Sequence, residues 1–178
     1  QTLDFGFPFY GETYEKVYVN KAGFILFEPD IFPWRYNRDT YHLFREMKNI
    51  SAFLFAPVMF YEGTKQPEGM WYEGDETHAS FRWKQPLTYY DNHIGEGEFA
   101  VTLFPDGSII FYYNDMLINE NVLWFGGVSA GEGKDFTLLP GGNSMRFPQH
   151  QAYRLMPELL PEEVDLLTDG FFTSSSTT

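Results

Sequence analysis

The feature that most constrains the fold of this chain is a series of short apolar runs separated by Gly, Pro, Asn and Asp. The clearest pair of runs, Phe99–Phe104 and Ser108–Tyr113, flanks the turn "PDG", and alternate apolar residues of each arm can share one face. Many such strands at a spacing of roughly ten residues are typical of antiparallel sheets. The sequence therefore predicts a mainly β fold: an antiparallel β-sandwich or a strongly curved sheet with one or two short helices.

The length of 178 residues is that of a single domain with a sizeable core. We predict that residues 1–170 form this domain and that an insertion at 30–48 interrupts its strands. The low-complexity end, 171–178, is predicted to be a disordered tail or linker.

The other elements follow from local patterns of spacing and turn residues. A helix is predicted at 40–48 from the spacing of its apolar residues, and a second at 161–168 because proline and two acids suit a helix N-terminus. Further strands are predicted at Tyr14–Val19, Gly23–Phe27, Ser51–Phe60, Gly69–Glu73, Ala79–Lys84, Val122–Ser129 and Phe136–Leu139.

The stretch "FGFPFYG" (5–11) concentrates four aromatic rings near the start of the chain. Phe5, Phe7 and Phe9 alternate, so one face of a strand can place all three rings in the core. The alternative is a surface platform on which a ligand stacks. The alternation favours the core, and Phe7→Ala is then expected to cost about 3–5 kcal/mol.

The charge balance bears on the class of partner. Lys and Arg number 12 against 25 Asp and Glu, and the net charge of −13 repels phosphate backbones and anionic lipid surfaces. We therefore predict no nucleic-acid partner. The chain has no cysteine, which removes thiol catalysis, disulfides and cysteine metal sites.

The chain begins at Gln1, almost inside the first strand-like motif. No apolar run approaches the roughly 20 residues that span a bilayer. We interpret the sequence as a mature or excised segment, so the lack of a signal peptide carries no information on localisation. A membrane tether is expected only through segments outside this chain.

An ordered set of motifs resembles the nidogen-like domain family. The stretch "FGFPFYGETYEKVYVNKAGFILF" (5–27) is similar to the opening of that domain, with its FPFYG turn followed by a glycine-containing hairpin. The likeness covers residues 4–131 and is strongest to the ectodomain of plexin domain-containing receptors. The later matching blocks are "ISAFLFAPVMF" (50–60), "ASFRWKQP" (79–86), "GEFAVTLFPDGSIIFYYND" (97–115) and "FGGVSAG" (125–131).

This resemblance implies a non-catalytic adhesion or interaction module that is extracellular or lies at the cell surface. It implies a protein partner on the cell surface or in the matrix, or self-association. The family has no shared catalytic residues. Two departures from the family are the absence of cysteine and the insertion 30–48, which is longer and more polar than the resemblance implies.

Two functions of other classes are the alternatives. The first is a carbohydrate-binding β-sandwich that stacks glycans on loop aromatics. The second is a serine hydrolase, because "GVSAG" (127–131) matches the Gly-x-Ser-x-Gly nucleophile elbow. That elbow needs a helix directly after Ser129, whereas "EGKDFTLLPGG" has no helical period. We therefore predict that Ser129 is not a nucleophile and that the glycines serve close strand packing or a bulge.

No cofactor is predicted. The four histidines lack the spacing of a zinc site. Asn49-Ile50-Ser51 is the only N-glycosylation sequon, which makes Asn49 a glycosylation candidate. Calcium accepts oxygen ligands from acid-rich loops, with solvated turns as the alternative interpretation of these segments: 74–76, 90–93, 96–98 and 114–121.

The insertion 30–48 is predicted to carry the partner-binding site. Trp34, Arg35 and Tyr36 are residue types enriched at binding hot spots, and they lie in a polar segment. Arg38 adds a further cation in a strongly negative molecule. The alternative is that the insertion packs over the end of the sandwich and serves stability alone.

Overall fold

The computed structural model describes residues 1–29, 40–54, 58–59, 69–89, 92–118, 122–157 and 174–177. Within these ranges every strand pairing is antiparallel. The elements are β1 (Thr2–Phe9), β2 (Glu12–Lys16), β3 (Tyr18–Asn20), β4 (Phe24–Leu26), α1 (Thr40–Glu46), β5 (Lys48–Leu54), β6 (Val58–Met59), β7 (Gly69–Gly74), β8 (Ala79–Tyr89), β9 (Asn92–Leu103), β10 (Ile109–Ile118), β11 (Phe125–Ala130), β12 (Phe136–Leu138), β13 (Gln151–Leu155) and β14 (Ser174–Thr177).

The larger sheet has the order β14-β13-β10-β9-β8-β6, and β7 pairs with β8 beside β6. Its centre is the hairpin that the sequence predicted, with Leu103 opposite Ile109 across the "PDG" turn. The Asp106 carboxylate accepts hydrogen bonds from the amide and hydroxyl of Ser108, at 2.9 and 2.6 Å, which fixes this turn. The inward residues of both arms are buried as expected: Phe99, Val101, Leu103, Ile109, Phe111 and Tyr113.

The second main sheet, the smaller sheet, has five strands in the order β12-β11-β5-β4-β3, and β1 pairs with β2 in a third, two-stranded sheet. The predicted hairpin between the segments around "NKAG" is present, with Asn20 opposite Phe24. Gly23 has φ 85°, and its carbonyl accepts hydrogen bonds from the amides of Ala52 and Phe53 at 3.0 and 3.1 Å. A Cβ at this position would lie 2.7 Å from the Phe53 carbonyl oxygen, so the close approach requires glycine.

The two sheets enclose one aromatic-rich core. Phe53 of the smaller sheet meets Phe99 of the larger sheet at a ring distance of 5.8 Å, and Trp83 stacks on Phe99 at 5.5 Å. The Tyr113 hydroxyl donates to the carbonyl of Ala52 over 2.6 Å and thereby joins the sheets. The predicted fold class, mainly β with packed antiparallel sheets and a short helix, is confirmed.

The strand β1 shows whether the rings of "FGFPFYG" lie in the core or form a surface platform. Phe7 and Phe9 are fully buried, and Phe9 stacks on Phe27 at 4.3 Å. Phe5 is only partly buried, because the register of β1 against β2 shifts between Thr2 and Phe7. The core interpretation therefore holds for Phe7 and Phe9, and Phe5 packs at the margin of the same cluster.

The helix α1 covers the face of the smaller sheet that points away from the core. Phe44 is fully buried there, in a second apolar cluster with Phe24 and Phe125. The strands β4, β5 and β11 of the smaller sheet are thus buried on both faces, whereas β3 and β12 at its edges are partly buried. Residues 40–48 of the predicted insertion are consequently part of the packed structure, whereas 30–39 lie outside the described residues.

Two predictions concern the end of the chain. The helix expected at 161–168 lies outside the described residues. Within the expected disordered tail 171–178, the residues Ser174–Thr177 form β14 and pair with β13. The strand β13 (Gln151–Leu155) was not predicted, and its inward Tyr153 and Leu155 complete the core beside β10.

Candidate binding surface

The outward face of the larger sheet carries two exposed aromatic rings. The strand register places Trp71, Arg82, Ala100, Tyr112 and Ala152 in one row across five strands. Trp71 and Tyr112 are 41% and 43% exposed, which is high for such large rings. Three strand spacings separate them, about 14 Å. We call this row, together with Lys84, Glu98 and Asn114, the outer face.

The Trp71 side chain is held by its neighbours on the outer face. The Arg82 guanidinium lies over the indole ring, with 5.3 Å between its carbon and the ring centroid. The indole ring also packs over Gly69, because a Cβ at that glycine would lie 3.4 Å from the ring. Cation–π contact and close packing together order an exposed ring before any partner binds.

Glu98 organises the charged part of the outer face. Its carboxylate accepts from Arg82 and lies 3.4 Å from the Lys84 ammonium and 3.3 Å from the Asn114 amide. Partial burial acts to raise the pKa of Glu98, but the hydrogen bonds from Arg82 and Asn114 and the neighbouring cations outweigh it. The pKa therefore lies below its ordinary value.

Tyr112 stands apart from this charged cluster. Its cross-strand partners on either side, Ala100 and Ala152, have only methyl side chains. Its ring therefore projects above small neighbours and remains accessible. The sequence pattern predicts this outward position, since Tyr112 alternates with the inward Phe111 and Tyr113.

The outward side of the larger sheet is much less negative than the chain as a whole. Its described strand positions carry four carboxylates and three cations, a net charge of −1 in a chain of net charge −13. An acidic protein is therefore repelled less by these groups than by the chain as a whole. These groups are Glu73, Glu96, Glu98, Asp115, Arg82, Lys84 and Arg154.

The residues that the sequence assigned to partner binding, Trp34, Arg35, Tyr36 and Arg38, lie outside the described residues. Their role stays a prediction. Sequence reasoning placed the exposed rings in that insertion and missed Trp71, because a strand pattern does not reveal which strand lies at the edge of a sheet.

The glycosylation assignment of Asn49 is corrected by the structure. Asn49 is fully buried, and its amide donates to the carbonyls of Phe44 and Met47, both over 2.8 Å. Its carbonyl oxygen accepts from the Ser51 hydroxyl over 2.6 Å. The side chain joins the end of α1 to β5, so the folded domain has no room for a glycan at this atom. Sequon spacing does not report burial.

Ser129 is likewise buried and engaged with the backbone. Its hydroxyl donates to the Arg45 carbonyl over 3.3 Å and accepts from the Gly131 amide over 3.1 Å. The His150 ring instead contacts Asn114 at 3.1 Å and Asp115 at 3.4 Å, on the larger sheet. A turn follows Ser129 rather than a helix. This geometry lacks the exposed serine and adjacent base of a nucleophile elbow.

The glycines around Ser129 serve packing and helix capping. Gly127 has φ 142° at the irregularity between β11 and β5, where a Cβ would collide with the Thr137 carbonyl. Residues 131–133 all have positive φ. The amides of Glu132 and Gly133 donate to the Glu46 and Arg45 carbonyls over 3.1 and 3.0 Å. The motif "GVSAGEG" therefore caps the C-terminus of α1.

Across the part of the chain that the structure describes, no group of three or more His, Cys, Asp or Glu is arranged to hold a metal ion. The calcium prediction for the acid-rich segments stays a prediction, and part of it, 90–91 and 119–121, lies outside the described residues. Among the described residues, no helix has the length and apolarity needed to cross a membrane.

Comparisons of the chain with protein-family models, curated proteins and solved structures found no match.

Proposed function

We propose that this domain is a non-catalytic interaction module of the nidogen-like type, acting outside the cell or at the cell surface and binding a protein partner. The observation that carries the proposal is the outer face, where Trp71, Arg82 and Tyr112 project from a rigid sheet. Trp, Tyr and Arg are the residues that most often dominate binding energy at protein interfaces. The ordered motifs of residues 4–131 support the same assignment.

The outer face also has the organisation of an interface. Its charged residues are already paired through Glu98, so little side-chain entropy remains to be lost on binding. The mixed charges on the outward side of the larger sheet favour a partner of mixed surface charge over a strongly basic one. The strands below it are fixed by a fully packed core, which holds the side chains in place.

The experiment is an array of purified extracellular and matrix proteins probed with a multimer of the domain. We expect a binder whose affinity falls by roughly 30-fold or more in Trp71→Ala, the size of a hot-spot loss of about 2 kcal/mol. Arg82→Glu should weaken it as well. Lys134→Glu is the matched control, because it makes the same change of net charge at an exposed site elsewhere.

A binder that responds to Trp34→Ala but not to Trp71→Ala would place the site in the insertion 30–48 and contradict the outer-face proposal. If no array protein binds, or if binding responds equally to Lys134→Glu, the proposal of a specific protein interface fails.

A glycan-binding module is the second candidate, and one observation favours it. Tyr112 offers an exposed ring between two alanines on the outward side of the sheet, where a sugar ring can stack. A glycan array run in parallel decides between the two classes. Specific sugar binding that is lost in Tyr112→Ala, with no protein binder, would replace the protein-partner proposal.

A further inference from the structure

Within the described residues, the edge of the larger sheet at β7 carries few of the features that commonly protect an edge strand. Edge strands are commonly blunted by lysine, proline or bulges. The strand "GMWYEG" contains no proline and no lysine, and Glu73 is its only charged residue. On the side of β7 away from β8, no other strand pairs with it in the described part of the chain.

The hairpin turn between β7 and β8 determines which backbone N–H and C=O groups of β7 point away from β8. The Asp75 amide donates to the His78 carbonyl over 2.9 Å, so these residues form the bonded pair next to the turn. Bonded and non-bonded pairs alternate along an antiparallel ladder. Met70 and Tyr72, opposite Trp83 and Phe81, therefore direct their backbone N–H and C=O groups away from β8.

The side chains at this edge are exposed on both faces of the sheet. Met70 and Tyr72 lie on the inward face, 47% and 38% exposed, because no strand beyond β7 continues the core over them in the described residues. Tyr72 contacts Phe81 at a ring distance of 5.2 Å. Its hydroxyl lies over Gly74, since a Cβ there would collide with it. Trp71 lies on the outward face beside Arg82.

We infer that β7 pairs with β7 of a second copy of this chain, in an antiparallel, two-fold symmetric dimer centred on Tyr72. The backbone groups of Met70, Tyr72 and Gly74 point away from β8, so a second β7 can form bonded pairs only between these positions. Centring on Tyr72 gives the longest overlap, with Tyr72 opposite the second Tyr72 and Met70 opposite Gly74.

This register is self-complementary in size and in charge. The Tyr72 side chain lies over Gly74 of the same copy. Met70 of the other copy therefore meets that Tyr72 ring in a sulfur–aromatic contact. On the outward face Trp71 lies opposite Glu73 of the other copy, next to the cation of Arg82. No like charges stand opposite each other, and each favourable contact occurs twice by symmetry.

The dimer is weak. A single six-residue strand pair covers less than the roughly 1,600 Å² of a standard interface. Two chains of charge −13 also repel each other at long range. Measurements therefore belong at 0.15 M salt, where the screening length is about 8 Å, and at high protein concentration.

The absence of cysteine allows a direct test of the register. In the proposed dimer the two copies of residue 72 are a bonded pair with Cα atoms about 5.5 Å apart, within the range that a disulfide spans. Tyr72→Cys should therefore cross-link to a dimer under mild oxidation. Trp71→Cys, opposite Glu73, and Leu117→Cys, exposed on β10, should stay largely monomeric.

Sedimentation of the unmodified chain over a concentration series provides the second measurement. We expect a shift from monomer to dimer that is lost in Tyr72→Lys, which places two cations opposite each other, in a variant whose melting curve shows that it is folded. Cross-linking of Tyr72→Cys no faster than Leu117→Cys, or faster cross-linking of Trp71→Cys, would overturn the inferred pairing. The inference goes beyond the proposed function, since dimerisation at β7 can fail while Tyr112 and Arg82 still bind a partner.

Discussion

The substitution Gly131→Ala tests the assignment of "GVSAGEG" as the cap of α1. Gly131 has φ 84°, and a Cβ there would lie 2.9 Å from the backbone nitrogen of Lys48. Gly11 is a matched control, because its φ is 81° and a Cβ there would have no neighbouring atom within 4 Å. Both substitutions place a side chain in left-handed backbone, but only one displaces a neighbouring strand.

The expected magnitudes follow from these contacts. Left-handed backbone costs alanine roughly 1–2 kcal/mol, and the loss of glycine freedom in the unfolded chain returns about 0.4–1 kcal/mol. Gly11→Ala should therefore lower the free energy of unfolding by about 0–1.6 kcal/mol. Gly131→Ala also weakens the two capping hydrogen bonds to Arg45 and Glu46, each contributing roughly 0.5–1.5 kcal/mol, for a total of about 1–4.6 kcal/mol.

Urea unfolding of both variants beside the parent chain measures the difference, with fluorescence as the probe. Equal losses in the two variants would refute the cap, since the loop after β11 would then tolerate a Cβ as easily as an open turn. In Gly131→Ala, the larger loss of stability should be accompanied by opening of α1. Faster hydrogen exchange of the Phe44 backbone amide would report this opening.

Four further expectations test the core and the charged groups. Phe7→Ala should cost about 3–5 kcal/mol in urea unfolding, because the fully buried ring stacks on Phe9 and Phe27; unchanged stability would restore the surface-platform interpretation. Tyr113→Phe should cost about 1–2 kcal/mol through loss of the bond to the Ala52 carbonyl, and an unaltered midpoint would show that this bond does not join the sheets. Glu98 has a lowered pKa, so its stabilising contribution is present above the unfolded value of 4.5 and is lost as pH falls through the folded value; Glu98→Gln should flatten the acid limb of stability against pH, and an identical limb would argue against the network. Mass spectrometry of the domain secreted from a glycosylating host should find Asn49 unmodified in folded material, whereas full occupancy would contradict its burial.

The sequence predicted the fold class well because alternation and turn chemistry act locally. The "PDG" hairpin and the "NKAG" hairpin were both found where their turn residues lie, and the arms of the "PDG" hairpin have the expected inward faces. Boundaries differed by a few residues, as in β11, which begins at Phe125 rather than at the predicted Val122. The strand β13 was missed because its five residues depend on pairing with β10 rather than on their own pattern.

The candidate surface was harder to predict than the fold. Exposure of Trp71 depends on the position of β7 at the edge of its sheet, which arises from long-range strand order. Burial of Asn49 depends on the helix end that it caps, which no sequon reveals. By contrast, the turn after Ser129 could be anticipated, since the following residues have no helical period.

The most direct test of the outer face is an oxidative footprint of the domain, free and saturated with the protein partner from the array. Hydroxyl radicals modify exposed aromatic and sulfur side chains, and Met145, 56% exposed, serves as an internal reference. We predict that oxidation of Trp71 and Tyr112 falls several-fold on binding while that of Met145 is unchanged. Protection of Trp34 and Tyr36 with Trp71 and Tyr112 still fully reactive would contradict it.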